Sequence, residues 1–532
     1  MTKKKKMDRV VNPVSFSSPV AAPARDNGNR PKVPSVVKGV LLRGYQSKER
    51  VLTFDRLCTA VALIVCVVTA GVFVKWAWDK FARSPIVVNV ETTNYPLYKL
   101  YFPAVTICPA NIVKRTVGEE LLTRYLNVSL DGRLQEVVRN VMGALAICQH
   151  PFYYRMQDHL EPILDILPQF EKFNVSHFML QVLPTCSELF GNCFWLGKEV
   201  NCCEVFNLQR TEAGFCYSFN SLTSDNTWNC AESEEFSRFL VTHEEKNEFS
   251  ECEPRHNIAS GTTTGLEVFL RPSRPENSLQ EGQRDKNGAR VYLHHPVQLP
   301  EVGTGIHMPE KNGMAFRIQV TPSVTESSIG VRALTISQRQ CLFPDELRLS
   351  VFKTYTQQNC LLECRLRNIA SFCGCRPYVF SAFTADNVPE CTLIQLWCLT
   401  QHNLELRIFR PPKGTRGFEN LTAIDCSNCL PTCHSSHYAL HYSYTDDSNP
   451  YARDSGGYLE VFYKDLSAIK YHQKLAFDFM DLVVSIGGVV SLFLGFSLLS
   501  VLQFFYLCVM RCVTFWQNIK WHTNTLRHAW IE

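Results

Sequence analysis

Two uncharged apolar runs, residues 57–74 and 482–510, decide what this chain can fold into. The first has 18 residues between Arg56 and Lys75, enough for a helix to cross a bilayer core of about 30 Å. Trp76 and Trp78 follow it, and tryptophan anchors helices at the membrane interface. The competing reading, a cleaved signal peptide, does not suit a 56-residue basic leader. The second run has 29 residues between Asp481 and Arg511. As one straight helix it would measure about 43 Å, so it must tilt, protrude or break.

Charge orients the two runs. Residues 1–56 hold 13 Lys/Arg against four Asp/Glu, which marks the N-terminus as cytoplasmic. Two crossings return the C-terminus to the same side. The reading is a cytoplasmic segment 1–56 with a disordered start and a re-entrant-type motif, then a transmembrane helix 57–78. An extracellular domain 79–474, a pre-membrane segment with a pore-lining helix 475–510, and a cytoplasmic tail 511–532 complete it. The net charge of +4 is too small to argue for nucleic acid.

Cysteine placement supports the outside location. Nineteen of 23 cysteines lie between Asp79 and Lys474, a density at home in an oxidising compartment. The sequons at Asn127, Asn174 and Asn420 fall in the same stretch and are candidate glycosylation sites. Ten cysteines crowd into 341–433. Cys360 and Cys364 are four apart in a helix-like stretch, so both thiols project from one face, and the segment 426–433 is a candidate partner. Zinc is the competing reading of such clustering; the oxidising compartment favours disulfides.

Two crossings cannot enclose a pore alone, but several copies around an axis can. The classes left are a channel subunit, an adhesion ectodomain and a membrane-anchored enzyme. An enzyme finds little support: His243-Glu-Glu-Lys lacks the second His of a zinc-protease helix, and no nucleophile elbow or P-loop occurs. His294-His295 ends a strand-like stretch where neighbours point to opposite faces. They read as surface histidines rather than metal ligands. No cofactor or metal is expected.

Several blocks then carry a resemblance. Tyr355-Thr-Gln-Gln-Asn-Cys360-Leu-Leu-Glu-Cys364 and Cys373-Gly-Cys375-Arg-Pro resemble the epithelial sodium channel/degenerin family. So do Phe102-Pro-Ala-Val-Thr-Ile-Cys108, Gly214-Phe-Cys216-Tyr-Ser-Phe-Asn220, Cys429-Leu-Pro-Thr-Cys433 and the second-run Gly487-Gly-Val-Val-Ser-Leu-Phe-Leu-Gly495-Phe-Ser497. Trp195-x-Gly197, Cys202-Cys203 and Arg339-Gln-Cys341-Leu-Phe-Pro-Asp-Glu are most similar to the arthropod pickpocket branch.

The resemblance implies two transmembrane helices plus a large disulfide-rich α/β extracellular domain, assembled as a trimer. It implies a pore-forming subunit of an amiloride-sensitive type sodium channel in the plasma membrane. Partners would be sodium ions, lipid, amiloride-type blockers and further family subunits in a homo- or heterotrimer. A non-conducting or regulatory subunit is the alternative; an ATP-gated trimeric channel would lack these blocks. The implied disulfides are Cys108–Cys216, Cys186–Cys193, Cys341–Cys433, Cys360–Cys429, Cys364–Cys426, Cys373–Cys398 and Cys375–Cys391. Cys148, Cys202, Cys203, Cys230 and Cys252 are left over.

In the second run, Gly487, Ser491 and Gly495 form a small-xxx-small stripe, which serves packing against the first span as readily as a pore. Ser497 falls about 120° from the centre of that stripe on an ideal helix. A break at Gly495-Phe496-Ser497 would realign Gly495 and Ser497, and freed backbone at membrane depth is tolerated where it lines a watery cavity. The family's filter is such an unwound segment, so Gly495, Phe496 and Ser497 are the expected selectivity filter. Val484 takes the degenerin position, where a bulky side chain hinders closure. The cytoplasmic His-Gly motif of the family appears as Lys38-Gly39, and Gln503 stands where relatives carry Glu. Acid-sensing relatives have a His just after the first span; Phe81-Ala-Arg-Ser-Pro-Ile-Val-Val has none. Cys508 and Cys512, four apart near the inner interface, read as palmitoylation sites or as ordinary small apolar residues.

Overall fold

The computed structural model describes residues 35–83, 86–126, 132–227, 253–274, 279, 287–352, 354–383, 388–411, 417, 421–447, 449–453, 455–495 and 497–528. It divides into two compact units, Met1–Ala77 with Val483–Glu532, and Trp78–Leu482. Asn127, Asn420, Phe496, Cys230 and Cys252 lie outside the described residues.

The larger unit is built on two sheets. Its strands are β1 (Ile86–Pro96), β2 (Ala104–Pro109), β3 (Phe190–Trp195), β4 (Lys198–Val200), β5 (Phe206–Thr211), β6 (Gly214–Phe219) and β7 (Leu266–Leu270). They continue as β8 (Ala289–His294), β9 (Ile306–Met308), β10 (Met314–Ser327), β11 (Ser435–Asp446), β12 (Gly457–Tyr463) and β13 (Ser467–Leu475). The eight-stranded sheet runs β1-β13-β10-β12-β7-β3-β4, with β11 on β10; the five-stranded sheet runs β5-β6-β2-β8-β9. Along β10 the alternation of Phe316, Ile318 and Val320 puts apolar side chains on one buried face, the period-two pattern of a half-covered strand.

Phe102 joins the two sheets. It is fully buried just before β2 and meets Trp195 of β3 at 4.9 Å, Tyr463 of β12 at 5.3 Å and Phe219 of β6 at 6.4 Å between centroids. Asn220, at φ +60°, donates to the Phe102 carbonyl at 2.6 Å and accepts from the Arg255 amide at 2.6 Å. Asn is among the few side chains that tolerate that conformation. The Phe102 block and the Gly214–Asn220 block are therefore the two sides of one packed seam.

The ladder sits on the helix Gln357–Cys373. Thr356 caps its start by accepting from the Asn359 amide, and Gly374 ends it at φ +65°, a left-handed cap that glycine adopts without strain. Cys360 bonds Cys429 and Cys364 bonds Cys426. Cys373–Cys398 and Cys375–Cys391 tie its C-terminal end to the following helix, Leu393–Gln401, and the segment before it. Cys341–Cys433 closes the base of the ladder, and Cys108–Cys216 links β2 to β6. Buried Asn359 donates to the Val297 carbonyl at 3.0 Å and accepts from the Leu299 amide at 3.1 Å, so the helix is held to the loop after β8 by polar contacts too.

One expected bridge is corrected. Cys186 pairs with Cys203 and Cys193 with Cys202, in place of Cys186–Cys193. The cause is a hairpin: Leu196 and Gly197 turn with positive φ, and β4 folds back so that Cys193 lies opposite Val200. The short helix Cys202–Val205, capped by Asn201, follows at once. It presents neighbouring thiols to two different partners. Cys202 and Cys203, left unassigned from sequence, thus consume both cysteines of the expected bridge, while Cys148 is a free, buried thiol.

The histidine pair is corrected as well. His294 is buried, its ring bonded to the Thr106 hydroxyl at 2.8 Å across β2 and β8. The strand it ends lies inside the five-stranded sheet, not at its surface.

Candidate functional site

The first apolar run belongs to one helix, Ser35–Arg83, of 49 residues. Its segment Arg56–Ala82 is long and apolar enough to cross a membrane. Lys38 and Gly39 lie in the same continuous helix, not in a re-entrant turn; residues 35–56 contain no proline to interrupt it.

The second run is divided between two helices instead of forming one. The first, Phe479–Leu494, ends where the Gly495 amide donates to the Ser491 carbonyl at 3.0 Å. Gly495 then takes φ +64°, a left-handed conformation that costs other residues about 1–2 kcal/mol. The second helix, Leu498–His528, starts after Ser497, whose hydroxyl accepts from the Ser500 amide at 3.2 Å as its cap. Both signals are local: a glycine to stop one helix and a serine to start the next. The interruption leaves carbonyls at the end of the first helix without intrahelical partners. Such oxygens can face a partly dehydrated cation.

The rest of the expected pore residues lie on these two helices. Val484 is 71% exposed on the first, and Gln503 is exposed on the second. A Cβ added at Gly487, Gly488 or Gly495 meets nothing within 4 Å, so the small-residue face is unfilled within one chain. Phe73 of the long helix stacks on Phe493 at 5.7 Å.

In chain order strand β1 follows the long helix Ser35–Arg83, and β13 precedes the helix Phe479–Leu494. The two strands pair antiparallel from Ile86↔Leu475 to Pro96↔Ser467. Across them Lys470 bridges Glu326 at 2.6 Å and Glu91 at 3.2 Å, with His472 at 3.6 Å from Glu91. Burial pulls the Lys470 ammonium down, but Glu326 and Glu91 outweigh it and its pKa is raised. No residue pattern read from the sequence pointed to this cluster, because its members come from three strands.

Buried imidazoles contribute to the acid stability of the larger unit. Burial pushes His150 and His294 down to about 4, from an ordinary 6.5. The unfolded chain takes up these protons first, so the stabilisation is full above pH 6.5 and is lost as pH falls toward 4. The purified protein is therefore expected to melt at lower temperature at pH 5 than at pH 7. Equal melting at the two values would show that these rings charge freely in the fold.

Comparison with known proteins completes the assignment. The family model described as amiloride-sensitive sodium channel matches residues 41–507. Sodium channel protein Nach of Drosophila melanogaster is 25% identical over 480 residues, covering 89% of this chain and 85% of that one. Pickpocket protein 28 of Drosophila melanogaster is 23% identical over 499 residues, covering 88% and 76%. The bile acid-sensitive ion channel of Mus musculus is 24% identical over 458 residues, covering 80% and 78%. With its disulfide-tied two-sheet unit and a family match over most of its length, the chain belongs to the amiloride-sensitive sodium channel family, a family of ion channels and not of enzymes.

Proposed function

We propose that this chain is a pore-forming subunit of a trimeric sodium channel of the plasma membrane, crossing the membrane twice with both termini cytoplasmic. The observation that carries the reading is the helix interruption between Leu494 and Leu498. Three copies around an axis bring three such interruptions together, with Gly495, Phe496 and Ser497 as the filter. Sodium is the cargo, and its hydration shell is replaced in part by carbonyl and hydroxyl oxygens. Amiloride-type blockers fit this reading, and Asn127, Asn174 and Asn420 carry glycans on the outer side. Whole-cell recording from cells expressing the chain, alone and with other family subunits, tests it. An amiloride-blocked sodium current that disappears with filter variants supports it. Unchanged currents in every combination would overturn it.

Val484 biases the gate toward open in this proposal. Protomers converge near Gly487, and a branched side chain three residues earlier crowds the closed state. A shift of about 1.4 kcal/mol changes the open/closed ratio tenfold. Val484→Gly is expected to lower resting current by an order of that size; an unchanged resting current at equal surface density counts against it.

A second reading, a regulatory subunit that conducts poorly on its own, is favoured by Lys38 and Gln503. This reading needs the start of the long helix to fold back toward the pore on assembly, because eighteen residues, about 27 Å of helix, separate Lys38 from Arg56; three symmetric copies then place three ammonium groups near the lower pore. A sodium ion about 8 Å from one such charge is opposed by roughly 2 kcal/mol at an effective dielectric near 20, less where salt screens it. Partners carrying His and Glu at these positions dilute the effect, which favours a heterotrimer. Lys38→His with Gln503→Glu is expected to raise unitary sodium conductance of the homomer. A parent homomer that already conducts as well as the double variant removes this reading.

A further inference from the structure

The described disulfides differ in how far solvent reaches them. Among their cysteines Cys203 alone is exposed, and its partner Cys186 is half-buried. The neighbouring bridge joins Cys193 and Cys202, which are 0% and 6% exposed. Adjacent residues thus supply one accessible bridge and one enclosed bridge.

The two bridges are nested. Cys186–Cys203 spans 17 positions and encloses Cys193–Cys202, which spans 9. The inner bridge pins the β3–β4 hairpin; the outer one joins the short helix Cys186–Leu189 to the short helix Cys202–Val205. Each helix secures its own start. The Thr185 amide and hydroxyl donate to the Glu188 carboxylate at 2.8 and 2.9 Å, and the Asn201 side chain accepts from the Cys203 amide at 3.1 Å. The Tyr217 hydroxyl of β6 donates to the Pro184 carbonyl at 3.0 Å. Opening the outer bridge therefore cuts a tie between two helices and leaves the contacts that form each of them.

That tie joins the walls of two cavities. Ser187, Glu188 and Leu189 line one of about 550 Å³ together with Lys114, which Glu188 also pairs at 3.1 Å. Glu204 and Val205 line a second of about 780 Å³ together with Trp195.

We infer that Cys186–Cys203 is a reducible clasp, a modification site opened by an extracellular protein dithiol of the Cys-x-x-Cys type while Cys193–Cys202 stays closed. The inference rests on the outward placement of the larger unit in the proposal above. Exposed disulfides are the labile ones, because exchange requires a thiolate to reach one of the two sulfurs.

A thiolate of the dithiol attacks the Cys203 sulfur, a mixed disulfide forms, and the Cys186 sulfur leaves and takes up a proton. The second thiol of the reagent then attacks its partner sulfur in the mixed disulfide and releases Cys203 as a thiol. Two electrons and two protons pass from the dithiol to the protein, and the reagent ends as its own disulfide. Residues 186–189 are the segment that gains freedom, because from Phe190 onward β3 pairs with β7.

The test is graded reduction of the full chain on intact cells. Thioredoxin kept reduced by its reductase, and dithiothreitol in parallel, are applied at rising dose before an acid quench. Surface protein is recovered, denatured and alkylated with N-ethylmaleimide, and peptide mass spectrometry reads each cysteine. Cys186 and Cys203 are expected to be alkylated at a dose at least about tenfold below the one that opens Cys193–Cys202 or the ladder bridges. Opening of the inner bridge or the ladder at the same dose overturns the clasp. Failure of Cys186 and Cys203 to react at a dose that opens the ladder overturns it too.

Cys186→Ser with Cys203→Ser is expected to keep Cys193 and Cys202 linked; free thiols at those two positions would overturn the independence of the bridges. If that variant does not reach the surface, the titration of the parent decides alone. The glycan at Asn174, an exposed residue, reports topology on the same sample by deglycosidase treatment. A glycosylated parent without selective opening overturns the clasp and leaves the outward placement standing. A parent with no glycan and with its larger-unit cysteines recovered as thiols before any reductant means that the outward placement has failed and has taken the clasp with it.

Discussion

Arg365→Met is expected to remove most of the protein from the cell surface by destabilising the larger unit by about 3–5 kcal/mol, the usual cost of leaving one partner of a buried ion pair alone. Arg365 projects from the ladder helix and pairs with Glu212 in the β5–β6 turn, with side-chain exposures of 8% and 11%. Its Nε donates to the Leu406 carbonyl at 3.1 Å, and its guanidinium lies 5.0 Å from the Phe409 ring centroid. Burial pushes the Glu212 carboxyl up, but Arg365 and His150 outweigh it and the net shift is downward. Stability from Glu212 is therefore present above the ordinary carboxylate range and is lost as pH falls through its lowered value. The variant leaves Glu212 charged and buried without its partner. Glu212→Leu combined with Arg365→Met is expected to recover much of the loss, because two apolar side chains leave no orphan charge. Surface biotinylation and thermal melting of the purified protein read both effects. A single variant that melts with the parent would show that water reaches Glu212.

Gly495→Ala is expected to cut sodium current at least tenfold in any assembly that conducts, at unchanged surface density. Two costs add. The left-handed backbone strains the new side chain by about 1–2 kcal/mol, and relief of that strain turns the carbonyls away from their present directions. A tenfold change needs only about 1.4 kcal/mol at the rate-limiting barrier. Gly495→Asn is the control for backbone alone, since Asn tolerates the conformation better. If strain dominates, Asn retains more current than Ala; if the added side chain blocks the passage, both lose it. Full current in Gly495→Ala moves the filter elsewhere in the second run.

These two sites differ in how far the sequence alone reaches. The interruption at Gly495 was legible because stop and start signals sit within a few residues of each other and the run is too long for one straight crossing. The pairing of Cys360 and Cys364 with one segment was legible for a similar reason, since four-residue spacing puts both on one helix face. The Glu212–Arg365 pair was not legible, because 153 positions separate its members and many other charges could have met either one.

Local chemistry, then, was determined by the sequence itself: two apolar runs, the first behind a basic N-terminal flank, a disulfide-rich middle, a capped ladder helix and a broken second helix. Family motifs added most of the disulfide pairs, but not those around the hairpin. There, tertiary structure decided that Cys186 takes Cys203 and Cys193 takes Cys202, because the Leu196-Gly197 turn and strand register determine which thiols come within reach. It also decided that His294 is buried against Thr106 and that Lys470, Glu91 and Glu326 meet across three strands. Each of these depends on which strands become neighbours, a choice made by burying apolar faces over the whole domain, and no window of neighbouring residues records it.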